Sequence, residues 1–207
     1  MACGTGSGLC VLKNQQLTFH WNRRLSKFNT IYQAELLAIR KALQLAHQMV
    51  LITNQKIKIT IYSDSASSLE AILDYTSKTS LVQDIQHLLL QLPFSLRPNL
   101  IWVKSHQGLF GNELADRLAK EAALAQERIE QSLPLPQSYL KSLTWYLLQS
   151  KWQEQWSTGL TGRRVFKFIH KVSTKLYTVN SALTWFLSGH GPFKSYLRRF
   201  RLSADDC

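Results

Sequence analysis

The stretch that decides the fold is Trp102-Val103-Lys104-Ser105-His106-Gln107-Gly108-Leu109-Phe110-Gly111-Asn112-Glu113-Leu114-Ala115-Asp116-Arg117-Leu118-Ala119-Lys120-Glu121-Ala122. It divides into three pieces. Leu100 to Val103 is a short apolar run, read as the end of a buried strand. Ser105 to Gly111 carries two glycines and reads as a loop. Asn112 is placed to cap a helix whose apolar positions Leu114, Ala115, Leu118, Ala119 and Ala122 follow helical spacing. This puts His106 on a loop and the carboxylate of Asp116 on the following helix. Taken singly, a loop histidine is ordinarily solvated, and an Asp near a helix start ordinarily serves the helix dipole. Together they suit a metal ion and a proton shuttle.

The flanking segments supply further elements. GSGLCVLK (6 to 13) and LTFHWNRR (17 to 24) read as two strands joined by the polar turn Asn14-Gln15-Gln16. Leu17, Phe19 and Trp21 alternate with Thr18, His20 and Asn22, the period of a half-buried strand. Thr30 to about Val50 reads as a long helix with Thr30 and Gln33 as its capping box and Glu35 on its second turn. Ile57, Ile59 and Ile61 alternate with polar residues in a strand that stops at Asp64, before a helix from about Ala66 to Asp74. A carboxylate at the C-terminal end of such a strand sits where α/β sheets hold their ligands. The competing reading is that Asp64 or Ser65 only caps the helix. Ser80 to Leu92 is a third amphipathic helix, closed by Pro93. The order strand, strand, helix, strand, helix, helix, strand, helix predicts an α/β domain with a mixed sheet flanked by helices over residues 1 to 125.

Composition narrows the partners. The 207 residues hold 25 Lys+Arg against 13 Asp+Glu, a formal charge of +12. This excess favours a polyanion, nucleic acid before an anionic membrane. Three cysteines (Cys3, Cys10 and Cys207) form no framework, so a reducing, intracellular setting (nucleus or cytoplasm) is expected. No signal peptide and no membrane-length apolar run is visible.

The opening stretch resembles the end of a ribonuclease H domain, "W-V-x-[SG]-H-x-G-x-x-G-N-E-x-A-D-x-L-A", in the version found in polyproteins of non-LTR (LINE-type) retrotransposons. The resemblance extends to residues 6 to 123. Gln33-Ala34-Glu35-Leu36 looks like the family's helix glutamate, and Tyr62-Ser63-Asp64-Ser65 like its strand-end aspartate. Asp116 looks like its last-helix aspartate, and His106 like its loop histidine. The resemblance implies cleavage of the RNA strand of an RNA–DNA hybrid with two Mg²⁺ (or Mn²⁺) ions. It implies Glu35, Asp64 and Asp116 as metal ligands, His106 as the auxiliary catalytic group, and Ser65 and Asn112 as substrate contacts. Two ions about 3.5–4 Å apart activate water and stabilise the leaving oxygen, and hard Mg²⁺ takes carboxylate oxygens.

One departure stands out. The family carries a further Asp on its first strand, in a segment like "TDGS", yet residues 1 to 34 contain no Asp or Glu. The expectation is an N-terminally truncated domain that lacks its first strand and is impaired in activity. The alternatives are a non-catalytic, basic nucleic-acid-binding remnant, or another nuclease or integrase of related fold; the His106 loop and the Gly-Asn-Glu-Leu-Ala-Asp run speak against the last.

Residues 126 to 207 read as a basic, mainly helical region after a Pro-containing linker (Ser132 to Pro136), with 12 Lys+Arg and 5 Asp+Glu. Leu140 to Trp156 reads as a helix bearing Trp145, Trp152 and Trp156, taken as core rather than as stacking platforms. Arg163, Lys167, Lys171 and Lys175 recur every four residues, one cationic stripe on a helix. That stripe is either a phosphate-tracking face or a solvated one. Val165, Ile169, Val172 and Leu176 form a separate apolar face. Ser188 to Leu197 resembles the "TGHG-x-x-x-x-YL" segment that leads to a cysteine-rich end in the same retroelements. With one Cys and one nearby His here, no zinc site is expected. Oligomeric state is not legible.

Overall fold

The computed structural model describes residues 4–53, 57–105, 107–125, 130–175 and 180–204. Its contacts divide the chain into two units, Met1–Pro136 and Gln137–Cys207.

The first unit opens with a hairpin of β1 (Thr5–Lys13) and β2 (Gln16–Leu25). Asn14 and Gln15 both adopt positive φ, 50° and 63°, the left-handed pair that matches strand twist in a two-residue turn. The pairing is antiparallel, Thr5 opposite Leu25, with a bulge between Val11 and Leu12. Burial of β2 begins later than its alternation suggests. Leu17 and Phe19 are exposed, and burial begins at Trp21, which packs on a core cluster. There Trp21 packs beside Leu25, Ala34 and Leu37, and the Asn22 side-chain amide donates to the Leu118 carbonyl at 3.1 Å.

Helix α1 (Ile31–Thr53) starts where the capping box predicts. The Gln33 N–H donates to Thr30 Oγ1, and the Thr30 N–H donates to Gln33 Oε1, each at 3.2 Å. These reciprocal bonds satisfy two otherwise orphaned donors. After it come β3 (Thr60–Ser63), α2 (Ala66–Leu73), α3 (Ser80–Gln91), a 3₁₀ turn (Phe94–Leu96), β4 (Asn99–Trp102), α4 (Phe110–Leu124) and β5 (Glu130–Gln131). The main core gathers Leu36, Ile39 and Leu43 of α1, Ile72 of α2, and Leu81, Val82 and Ile85 of α3, with Ile61 and Leu100 packed on it from β3 and β4. A second cluster joins Leu25 of β2 to Ala34 and Leu37. Helix α1 therefore contributes to both. Each such Leu or Ile contributes about 1.5–3 kcal/mol by leaving water.

The arrangement is mixed α/β with helices flanking the strands, as the element order predicts. Hydrogen bonding divides the strands into two groups, β1-β2-β5 and the parallel pair β3-β4. Among the described residues, neither β1 on the side away from β2 nor β3 on the side away from β4 has a strand partner. A two-stranded pair of four residues each is marginal by itself, so β3-β4 depends on its packing against the helices.

Strand β1 is sandwiched. On one face Ser7 and Leu9 are buried, and the Ser7 hydroxyl donates to the Ala34 carbonyl of α1 at 2.7 Å. On the other face Gly6 and Gly8 meet the backbone of α4. A Cβ at Gly6 would lie 1.9 Å from the Ala119 carbonyl oxygen, and one at Gly8 2.6 Å from that of Ala115. No real atom tolerates these distances, so only glycine lets α4 lie this close.

The second unit contains α5 (Gln137–Thr158), α6 (Arg163–Phe166), α7 (Ser181–Ser188) and α8 (Lys194–Arg199). Two expectations fail here. Helix α5 has no buried residue, and Trp145 and Trp152 are 46% and 43% exposed, so neither is core. Its apolar side chains lie on all sides of the axis, and no single face can collect them. Trp156 is held, its indole N–H donating to the Ile169 carbonyl at 2.8 Å.

The stripe through Arg163, Lys167, Lys171 and Lys175 does not form either, because α6 ends at Phe166. Beyond the break, the Gln153 side chain binds the backbone. It donates to the His170 carbonyl and accepts from the Val172 N–H, both at 2.9 Å, taking backbone groups that a continuing helix would need. Leu176, the last residue of the proposed apolar face, and Cys207 lie outside the described residues.

Replacing Gly6 by Ala is expected to lower stability by about 1–3 kcal/mol through overpacking of α4 on β1. Urea unfolding measures this, and Gly108, with open space around its Cβ direction but φ +75°, gives a control that is strained without being crowded.

Candidate active site

Three carboxylates are delivered by three different elements. Glu35 is on the second turn of α1, next to Ala34, whose carbonyl Ser7 holds. Asp64 directly follows β3. Asp116 is on the second turn of α4, next to Ala115, whose carbonyl rests against Gly8. All three are partly buried. Strand β1 thus sits between the two helices that carry Glu35 and Asp116.

Electrostatics ties them together. Glu35 is pushed from its ordinary 4.5 up to about 7, first by burial and then by the negative charges of Asp64 and Asp116. An acid feels its neighbours this way only when they share its surroundings. The sequence alone could not show that acids 29 and 81 residues further along the chain meet Glu35.

Asp64 is held through both its main chain and its side chain. Its main-chain carbonyl accepts from the Ala66 N–H at 3.1 Å and from the Trp102 indole N–H at 3.1 Å. The Val103 N–H donates to the Ser63 carbonyl at 2.9 Å, carrying the β3-β4 pairing to the edge of the site. The Asp64 carboxylate accepts at Oδ2 from the Asn112 side-chain amide at 3.2 Å. The reading of Asp64 as a mere helix cap does not hold, since no side-chain cap bond is made at the start of α2. Ser65 occupies the cap position, but its hydroxyl donates to Ser68 Oγ at 2.8 Å.

Asn112 is not the cap of α4. That position belongs to Leu109, and Asn112 lies inside the first turn with its side chain turned to Asp64. The sequence rule for caps misplaced it by one turn's worth of residues, because an Asn at this spacing satisfies the rule and a cross-element bond equally well. Trp102 and Ser7 are positioning groups that the sequence reading missed. Trp102 was visible only as an apolar strand residue, and nothing in the sequence signals Ser7.

His106 lies outside the described residues. In the second unit, Arg163 is engaged internally. Its guanidinium donates to the carbonyls of Trp156 and Ser157 and lies over the Phe166 ring at 4.3 Å. Lys167 and Lys171 are exposed. On α4, Asp116 shares a depression of about 260 Å³ with Glu113, Arg117 and Lys120. The depression therefore holds two acids and two cations.

The donor set suits a hard divalent cation, being oxygen-only and self-repelling when fully ionised. Among the described residues, no three His, Cys, Asp or Glu side chains are gathered closely enough to hold an ion. The cluster therefore fits a metal in chemistry and in electrostatic coupling, while its acids stand apart from one another by more than a closed ligand shell allows.

The raised Glu35 carries a pH signature. Unfolded, this carboxyl releases its proton near 4.5; folded, near 7. Between those values the folded state holds the extra proton, so stability declines as pH rises from about 4.5 to about 7. Glu35→Gln is expected to flatten that decline in urea titrations run across the window without divalent ions. A wild-type curve that does not fall there contradicts the coupling.

Comparison with known proteins gives the following. The RNase H family model matches residues 3–124. No curated protein matches the chain. Among solved structures, native prototype foamy virus protease–reverse transcriptase is similar with TM-score 0.43 and 17% identity, over 59% of this chain and 20% of that one.

Proposed function

The chain belongs to the RNase H family, and from that premise we propose that it is a retrotransposon-derived ribonuclease that hydrolyses the RNA strand of RNA–DNA hybrids by a two-metal carboxylate mechanism. The observation that carries this is the meeting of Glu35, Asp64 and Asp116 from α1, the end of β3 and α4 in one electrostatic cluster. Glu35, Asp64 and Asp116 are the residues that would hold Mg²⁺ or Mn²⁺. When bound, such ions lower the pKa of water and offset charge on the scissile phosphate. The chain's own residues do the rest. The ionised carboxylates attract and place cations, and Asn112 and Trp102 hold Asp64. Arg117 and Lys120 draw the phosphate backbone toward α4, and His106 serves as the proton-transfer group of the loop. Ser65, Lys167 and Lys171 are assigned to hybrid contacts, and the overall charge of +12 favours such a polyanion. The work is assigned to the nucleus or cytoplasm.

A second reading has its own observation. The acids are not gathered into a closed metal shell among the described residues, and β1 and β3 each keep an open edge. These support a chain that binds hybrid without cutting it until a further strand brings a fourth carboxylate. No helix among the described residues is long and apolar enough to cross a membrane.

The test uses a labelled RNA–DNA hybrid with Mg²⁺ and then Mn²⁺, beside Asp64→Asn. The hydrolase reading predicts RNA-strand products that vanish in the variant. Retained hybrid binding with no products from either metal favours the binding reading.

A further inference from the structure

Asp64 is gripped at two points by two different elements. From α4, the Asn112 amide donates to carboxylate Oδ2 at 3.2 Å. From the end of β4, the Trp102 indole N–H donates to the Asp64 main-chain carbonyl at 3.1 Å. We propose that Asn112 and Trp102 form a clamp that fixes the orientation of Asp64 and its distance from Asp116, making Asn112 a positioning residue of the acid cluster rather than a contact to the substrate. The inference rests on the reading of Asp64 as a metal ligand.

Three features support it. Asn112 and Asp116 are four residues apart on α4, hence on one helix face one turn apart. A bond from Asn112 to Asp64 therefore sets how far Asp64 stands from Asp116. Next, the donor is neutral. A Lys or Arg in its place would cancel the charge of Asp64 and repel an incoming cation, whereas a carboxamide orients the carboxylate and leaves its charge intact. Finally, the two bonds act on different degrees of freedom. The indole holds the backbone at the strand end, and the amide holds the side-chain torsions. Asp64 lies outside regular structure between β3 and α2, so both are needed to hold it. Partners of metal-binding groups that orient them in this way typically change metal affinity about 10–100-fold when removed.

The 207-residue chain serves as it is. Mn²⁺ binding is measured by electron paramagnetic resonance, and hybrid binding by fluorescence anisotropy in chelator. Asn112→Ala is expected to weaken Mn²⁺ binding about 10-fold or more while leaving the hybrid dissociation constant within about twofold. Trp102→Phe, which keeps the ring and removes the N–H, is expected to weaken Mn²⁺ in the same direction and by less. An Asn112→Ala chain with unchanged Mn²⁺ affinity and weakened hybrid binding overturns the proposal in favour of a substrate contact. A nuclear magnetic resonance arm stands apart from metal and activity: the Asn112 side-chain amide resonances must shift in Asp64→Asn, and their failure to move refutes the clamp. A wild-type chain that takes up no Mn²⁺ contradicts the metal reading of the site, and the resonance arm then decides the clamp alone.

Discussion

Everything in the first unit depends on how thin β1 is. Its glycines let the backbone of α4 touch one face, and its small Ser7 lets α1 settle on the other with a hydrogen bond to Ala34. A strand of ordinary β-branched residues would separate these helices by a further side-chain layer on each side. Glu35 and Asp116 follow directly on Ala34 and Ala115, two of the helical residues that β1 touches. The steric economy of three small residues is thereby converted into the placement of two acids. The third, Asp64, is brought in separately by β3, whose pairing with β4 extends through Ser63 and Val103 to the edge of the site.

Gathering acids has an electrostatic cost, and the fold bears it at Glu35. Burial on α1 and the charges of the other two carboxylates disfavour its ionised form. Such strain is common where a protein prepares a site for positive charge, since a cation relieves both the repulsion and the desolvation. The surrounding cations are arranged differently. Arg117 and Lys120 share a surface depression with Asp116.

Much of this was legible in the chain. The helix over Glu35 announces itself by its capping box, and both bonds of that box are made. The strand ending at Asp64 and the helix bearing Asp116 follow from period and punctuation. What pattern could not supply was the partner chosen by a side chain with several options. Asn112 satisfies the rule for a helix cap, yet bonds across to Asp64. Lys167, Lys171 and Lys175 have the spacing of a helical face, yet Gln153 pairs with the backbone at 170 and 172 and the helix stops. The tryptophans of α5 have the bulk of core residues, but the helix lacks a single apolar face to bury them. For Asn112 and the lysines local spacing was read correctly, and a contact from another element decided the outcome.

The central claim is that Glu35, Asp64 and Asp116 share one electrostatic site in the folded chain. The most direct measurement is the titration of the Glu35 side-chain carboxyl by ¹³C nuclear magnetic resonance, in the metal-free wild type and in Asp64→Asn and Asp116→Asn. The account predicts a midpoint at about 7 in the wild type and a downward move in each variant as one neighbouring charge is removed. A wild-type midpoint near the ordinary 4.5, unchanged in both variants, would contradict it.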